Sequence, residues 1–141
     1  MGFRGMEEPV TFQSDRLNLS GTVHIPDDLQ PGEQRPAMLV LHGFGSNQES
    51  QNCIWPAREF ANWGYVTLRF DMRSCGNSDG KKNHINCLEQ VEDTKNAISY
   101  MQQRPEVDSK RIGLIGTSFG AAVTVYAAGV DERVSAAISS G

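Results

Sequence analysis

The chain has 141 residues, 38% of them hydrophobic and 21% charged, with thirteen basic and seventeen acidic side chains for a net charge of −4. That length fits one domain, and a chain this size buries roughly 68–70% of the surface its unfolded form exposes. The mixture argues against global disorder, and no basic stripe marks nucleic acid or an anionic membrane as a partner.

Residues 121–130 form the longest small-and-apolar stretch, far short of the ~20 residues a membrane helix needs. Arg4, Glu7 and Glu8 interrupt the N-terminal segment, so no secretory signal peptide is read there. Gly2 suggests myristoylation, but Met6 stands where that motif takes Ser or Thr. Cys53, Cys75 and Cys87 are an odd count without C-x-x-C spacing, which implies neither a disulfide framework nor a zinc site. The expectation is a reduced, cytoplasmic protein, with export under a signal outside this sequence left open.

Val10-Thr11-Phe12-Gln13 and the longer run 17–25 alternate apolar and polar residues, predicting an antiparallel pair of strands with one wet face. Residues 27–36 read as a polar loop. The rhythm then changes. Ala37-Met38-Leu39-Val40-Leu41 is continuously apolar, as a parallel strand covered on both faces should be. A helix is predicted over 56–63, with Pro56 in its first turn and Gly64 as its stop. A strand follows over 65–70, then a polar loop over 71–86. Leu88, Val91, Lys95 (through its stem), Ile98 and Met101 recur at helical spacing. Strands over 111–115 and 134–138 flank a helix over 119–128. This alternation predicts a mostly parallel α/β sheet with helices on both faces, one domain spanning 1–141, and antiparallel N-terminal strands. Phe3, Phe12, Trp55 and Trp63 are expected in or near the core, with a lesser alternative that Cys53 and Trp55 line an acyl pocket. Glu89, Glu92, Asp93 and Lys95 are expected on the solvated side of their helix.

Gly116-Thr117-Ser118-Phe119-Gly120 joins a predicted strand to a predicted helix. That is the context of a nucleophile elbow, a sharp turn that presents a serine hydroxyl, with glycines where a Cβ would clash. His42-Gly43-Phe44-Gly45 follows the first buried strand. A tetrahedral oxyanion needs two fixed donors, and the amides of Phe119 and Phe44 are the candidates. Two rival motifs fail. A dinucleotide fingerprint starting at Gly43 would need glycine at Gln48, and a P-loop ending at Gly80-Lys81 would need glycine at Cys75.

These motifs, with Asp71-Met72-Arg73, Gly76-Asn77-Ser78-Asp79-Gly80 and Arg111-Ile112-Gly113-Leu114-Ile115, resemble the N-terminal part of α/β-hydrolase-fold serine hydrolases of the esterase/lipase/serine-aminopeptidase type. The similarity runs from about Leu17 to Gly141. Ser74 departs from it, because the family's D-x-R-G-x-G-x-S loop has glycine there. The resemblance implies Ser118 as nucleophile, Phe44 and Phe119 as oxyanion donors, and His42, Gly43, Gly45, Gly116 and Gly120 as loop support. It implies hydrolysis of a small carboxylic ester, thioester or amide without metal or cofactor. It also implies two further strands, a triad Asp and His, and a cap.

A serine nucleophile needs a base and a group that orients it. Only Asp131 and Glu132 follow Ser118 as acids, no histidine follows it, and His24, His42 and His84 all precede it. Asp131 and Glu132 read as a solvated turn, His42 as a brace for its loop, and Asp71 and Arg73 as braces beside the elbow. The acid and base are therefore expected beyond residue 141 or on a partner chain. Two other readings stay open: a serine peptidase, and a non-catalytic interaction module that self-associates through its C-terminal edge strand.

Overall fold

The computed structural model describes residues 2–141. Its strands are β1 (Met6–Ser14), β2 (Leu17–Ile25), β3 (Arg35–Leu41), β4 (Val66–Phe70), β5 (Val107–Thr117) and β6 (Val134–Ser140). Its helices are α1 (Gln51–Asn62), α2 (Cys87–Gln102) and α3 (Phe119–Val130). One six-stranded sheet runs in the order β1-β2-β4-β3-β5-β6. β1 and β2 pair antiparallel, β2 meets β4 antiparallel, and β4, β3, β5 and β6 run parallel. The expected α/β architecture is the observed one.

The apolar runs explain the layering. Leu39, Leu41, Leu68, Phe70, Ile112 and Leu114 are fully buried and share one core with Ile98 and Met101 of α2 and Val123 and Ala127 of α3. Val40 points the other way, packing with Cys53 and Ala57 of α1 and with Ile115. A strand buried on both faces has no polar side to show, hence the unbroken run at 37–41.

Four expectations are corrected. The first is where α1 begins. It starts at Gln51 rather than at Pro56, because Ser50 caps it by accepting the Asn52 N–H. Pro56 lies inside the helix and withdraws one donor there. Secondly, Trp55 and Trp63 are each 64% exposed, so neither is core. Cys53 is fully buried against Val40 and Ala57, a packing residue rather than a pocket wall, and that burial pushes its thiol up to about 12. Thirdly, Leu88 is exposed, and the buried stripe of α2 is instead Val91, Thr94, Ala97, Ile98 and Met101. The fourth is Asp93, which is fully buried. It accepts from Ser14 Oγ at 2.6 Å, from the Arg73 main-chain N–H at 2.8 Å and from Arg73 Nε at 3.0 Å.

Candidate active site

The parallel registers bring three strand ends to one level. Leu41 of β3 stands beside Gly116 of β5, and Val40 beside Arg69 of β4. His42, Asp71 and Ser118 therefore leave the sheet together at its carboxyl edge. The chain turns from β3 into α1 on one face and from β5 into α3 on the other. Open α/β sheets bind ligands at such a switch point.

Ser118 sits between β5 and α3 with φ 56° and ψ −124°, a conformation side chains rarely adopt. Holding a non-glycine residue there stores about 1–3 kcal/mol, so its surroundings must enforce it. They do so through bonds and through missing side chains. The Ser118 N–H donates to Ser140 O on β6 at 2.9 Å, and its carbonyl accepts from Ala121 N at 2.9 Å. A Cβ on Gly116 would stand 2.3 Å from Gly120 O, and one on Gly120 would stand 2.5 Å from both Leu41 O and His42 O. Only glycine permits that approach of helix to strand. The hydroxyl makes no capping bond to the helix, and the residue is exposed.

The loop after β3 lies directly against this bend. A Cβ on Gly43 would sit 3.7 Å from Ser118 Cβ. The Phe44 ring meets the Phe119 ring edge-on, centroids 5.4 Å apart. Among the described residues, neither the Phe44 nor the Phe119 N–H donates to a protein acceptor outside regular structure. For Phe119 this follows from its place at the start of α3, where N–H groups lack helical partners and point outwards.

His42 fixes that loop. Its Nε2 accepts the Met72 N–H at 3.0 Å, so the proton lies on Nδ1, which donates to Gly43 O at 2.8 Å. Burial pushes its pKa below the usual range. Both ring nitrogens are thus occupied by the main chain. Gly45 continues the turn at φ 63°.

The loop after β4 supplies the second scaffold. Asp71 accepts from Gln48 N at 2.7 Å, Gln48 Nε2 at 3.3 Å and Asn77 N at 3.0 Å, tying the loops after β3 and β4 together. Arg73 reaches Asp93 and Asp15. Burial alone would lower the guanidinium pKa, and these carboxylates more than reverse it. Ser74 adopts φ 70°, which explains in one stroke why glycine is usual at that position of the loop pattern.

His24, His84 and Asp131 each have a partner other than the serine. His24 is fully buried in β2, accepts from Arg69 Nε at 3.0 Å and is pushed down to about 4 by that burial. His84 is exposed and pairs with Glu89 at 3.1 Å. Asp131 is not the solvated turn residue expected. It is 7% exposed, and bonds from Arg133 hold its carboxyl below the usual range. Sequence reasoning missed Asp93's partners because Ser14 and Arg73 are brought to it by packing, whereas Arg133 stands only two residues from Asp131 and was a local signal left unread. Among the described residues, no group of three His, Cys, Asp or Glu is placed to hold a metal ion. No described helix is long and apolar enough to cross a membrane.

A mostly parallel sheet, an elbow after β5 and a glycine loop after β3 together define the α/β-hydrolase fold, of which this chain forms a part. Residues 15–140 match the sequence profile of the X-Pro dipeptidyl-peptidase (S15 family), and the chain belongs to that family. It is 33% identical over 137 residues to a polyketide transferase, ATR5, of Stachybotrys chlorohalonatus, covering 94% of this chain and 43% of that protein. It is 34% identical over 127 residues to the thiohydrolase aneE of Aspergillus aculeatus, covering 89% of this chain and 38% of that one. The structure of the α/β hydrolase GrgF from Penicillium superposes with a TM-score of 0.88 at 32% identity, over 95% of this chain and 45% of GrgF. The chain thus spans roughly two fifths of the length of the curated relatives it matches.

Proposed function

We propose that this chain carries the nucleophile and the oxyanion donors of a serine hydrolase acting on carboxylic esters and thioesters. The observation that supports it best is Ser118, exposed at a strained bend between β5 and α3, with the glycine loop of β3 against it. Ser118 Oγ attacks the carbonyl carbon and gives its proton to a base supplied from outside these residues. The Phe44 and Phe119 amides hold the resulting oxyanion. Collapse expels the alcohol or thiol, which takes that proton, and leaves an acyl group on Ser118. Water then releases the acid in a second, symmetrical step. The thiohydrolase name of one relative favours the thioester variant.

The test is active-site labelling of the full-length protein that carries this chain. A fluorophosphonate should modify Ser118, seen by peptide mass, and Ser118→Ala should abolish it. A folded protein that stays unlabelled at Ser118 overturns the reading. A second reading, self-association by strand addition, rests on β6, whose residues 135–140 are exposed and which has no outer neighbour among the described residues. Native mass spectrometry showing only monomer removes it.

A further inference from the structure

A cleft of about 310 Å³ opens beside the glycine loop, with Phe44, Ser74, Cys75, Lys82, Asn83 and Ile85 among its lining residues. It shares Phe44 with the candidate active site, where the Phe44 ring packs edge-on against that of Phe119. That volume is at the low end for small-molecule sites, so it suits a short chain. Its walls mix the apolar side chains of Phe44, Cys75 and Ile85 with the polar ones of Ser74 and Asn83, and Lys82 is the one charged group. Lys82 donates to Gly76 O at 2.7 Å, which fixes its ammonium at the rim with two N–H donors to spare.

That charge is unbalanced. Lys82 forms no ion pair among the described residues, whereas Lys95 has Glu92 at 3.2 Å. Asp71 stands behind Gly76, where a Cβ would lie 2.3 Å from its Cγ, but it is 2% exposed and forms no part of the cleft wall. Burial raises the Cys75 thiol's pKa, so the thiol brings no negative charge to the wall. A bound group meeting Lys82 is thus rewarded for being anionic, and the small volume keeps the rest of it short. Resting on the acyl-enzyme reading above, we propose that this cleft selects short substrates bearing a carboxylate, with Lys82 as the residue that sets the preference.

Two pairs of reagents test this on the full-length protein, with intact mass as the readout. Butyl and 3-carboxypropyl fluorophosphonates place the carboxylate in the acyl half. Phenyl acetate and 4-acetoxybenzoate place it in the leaving half. The charged member of one pair should modify Ser118 roughly fivefold faster at low ionic strength, an advantage typical of one exposed ion pair, and salt should erode it. Lys82→Gln, which can still donate to Gly76 O, should bring that ratio close to one, while Lys82→Arg keeps it. Equal rates within both pairs, or a preference that survives Lys82→Gln, overturn the role of Lys82 and leave the serine reading standing. No modification of Ser118 by any of the four overturns both.

Discussion

Gly120 lies so close to His42 that an added Cβ would stand 2.5 Å from the His42 carbonyl oxygen. This approach seats the start of α3 on the end of β3 and so sets the distance between the bend at Ser118 and the glycine loop. Gly120→Ala pushes a methyl into two main-chain oxygens that cannot yield. The expected loss is about 3 kcal/mol, the upper part of the range for overpacking, read by urea denaturation. Gly43→Ala meets only an ordinary 3.7 Å contact with Ser118 Cβ, and its denaturation midpoint should stay near that of the parent. Equal sensitivity at the two sites would contradict the geometry.

Asp93 anchors Ser14, the Arg73 main chain and the Arg73 guanidinium from a fully buried position. Asp93→Leu leaves that guanidinium without its main partner, and removing one member of a buried pair costs about 3–5 kcal/mol. Glu92, one residue earlier, pairs only with Lys95 at the surface, so Glu92→Ala should change stability by at most ~0.5 kcal/mol. Chemical denaturation of the two variants side by side checks the contrast.

Ser74 holds φ 70°, and a left-handed backbone costs a side-chain-bearing residue about 1–2 kcal/mol. Ser74→Gly removes that strain but loosens the unfolded chain, which offsets part of the gain. A net rise of up to about 1 kcal/mol in unfolding free energy is expected. A fall would show that the hydroxyl, not the backbone, governs this position.

His24 titrates near 4 in the folded chain against 6.5 in an unfolded one. The unfolded state therefore takes up the proton first, so stability is full above pH 6.5 and declines as pH falls towards 4. Below that both states are protonated and this residue adds no further loss. The total amounts to about 3 kcal/mol. Protonation sets a second cation against Arg69, with Arg58 adding to the repulsion and Glu7, 3.7 Å away, only partly relieving it. His24→Gln can still accept from Arg69 Nε but does not titrate. Its stability should therefore vary less between pH 6.5 and 4 than the parent's, and an unchanged slope refutes the assignment.

The features legible in the sequence are those that short stretches of chain impose. The unbroken run at 37–41 announced a strand covered on both faces, and the spacing of Gly116, Ser118 and Gly120 announced a turn only glycines could close. Pro56 misled because it signals a helix start strongly, while the actual cap, Ser50, is an ordinary loop residue until the chain folds. Asp93 follows Glu92 among acids that helical spacing assigns to water. Its burial depends on Ser14, seventy-nine positions away, and no local pattern carries that information. Trp55 and Trp63 erred the other way, since size and apolarity alone do not place a residue inside.

One detail of the sheet reaches further than its size suggests. The amide of Ser118 is tied to Ser140, at the rim of a strand whose side chains lie almost entirely in water. That pairing, with the Ala121 N–H and the close approach of Gly120, holds the bend in place. If β6 frays, residue 118 can slip back to an ordinary backbone angle while the interior stays packed. The strained angle at residue 118 is thereby coupled to the register of β5 on β6, so a change that shifts that register should relax the bend as well.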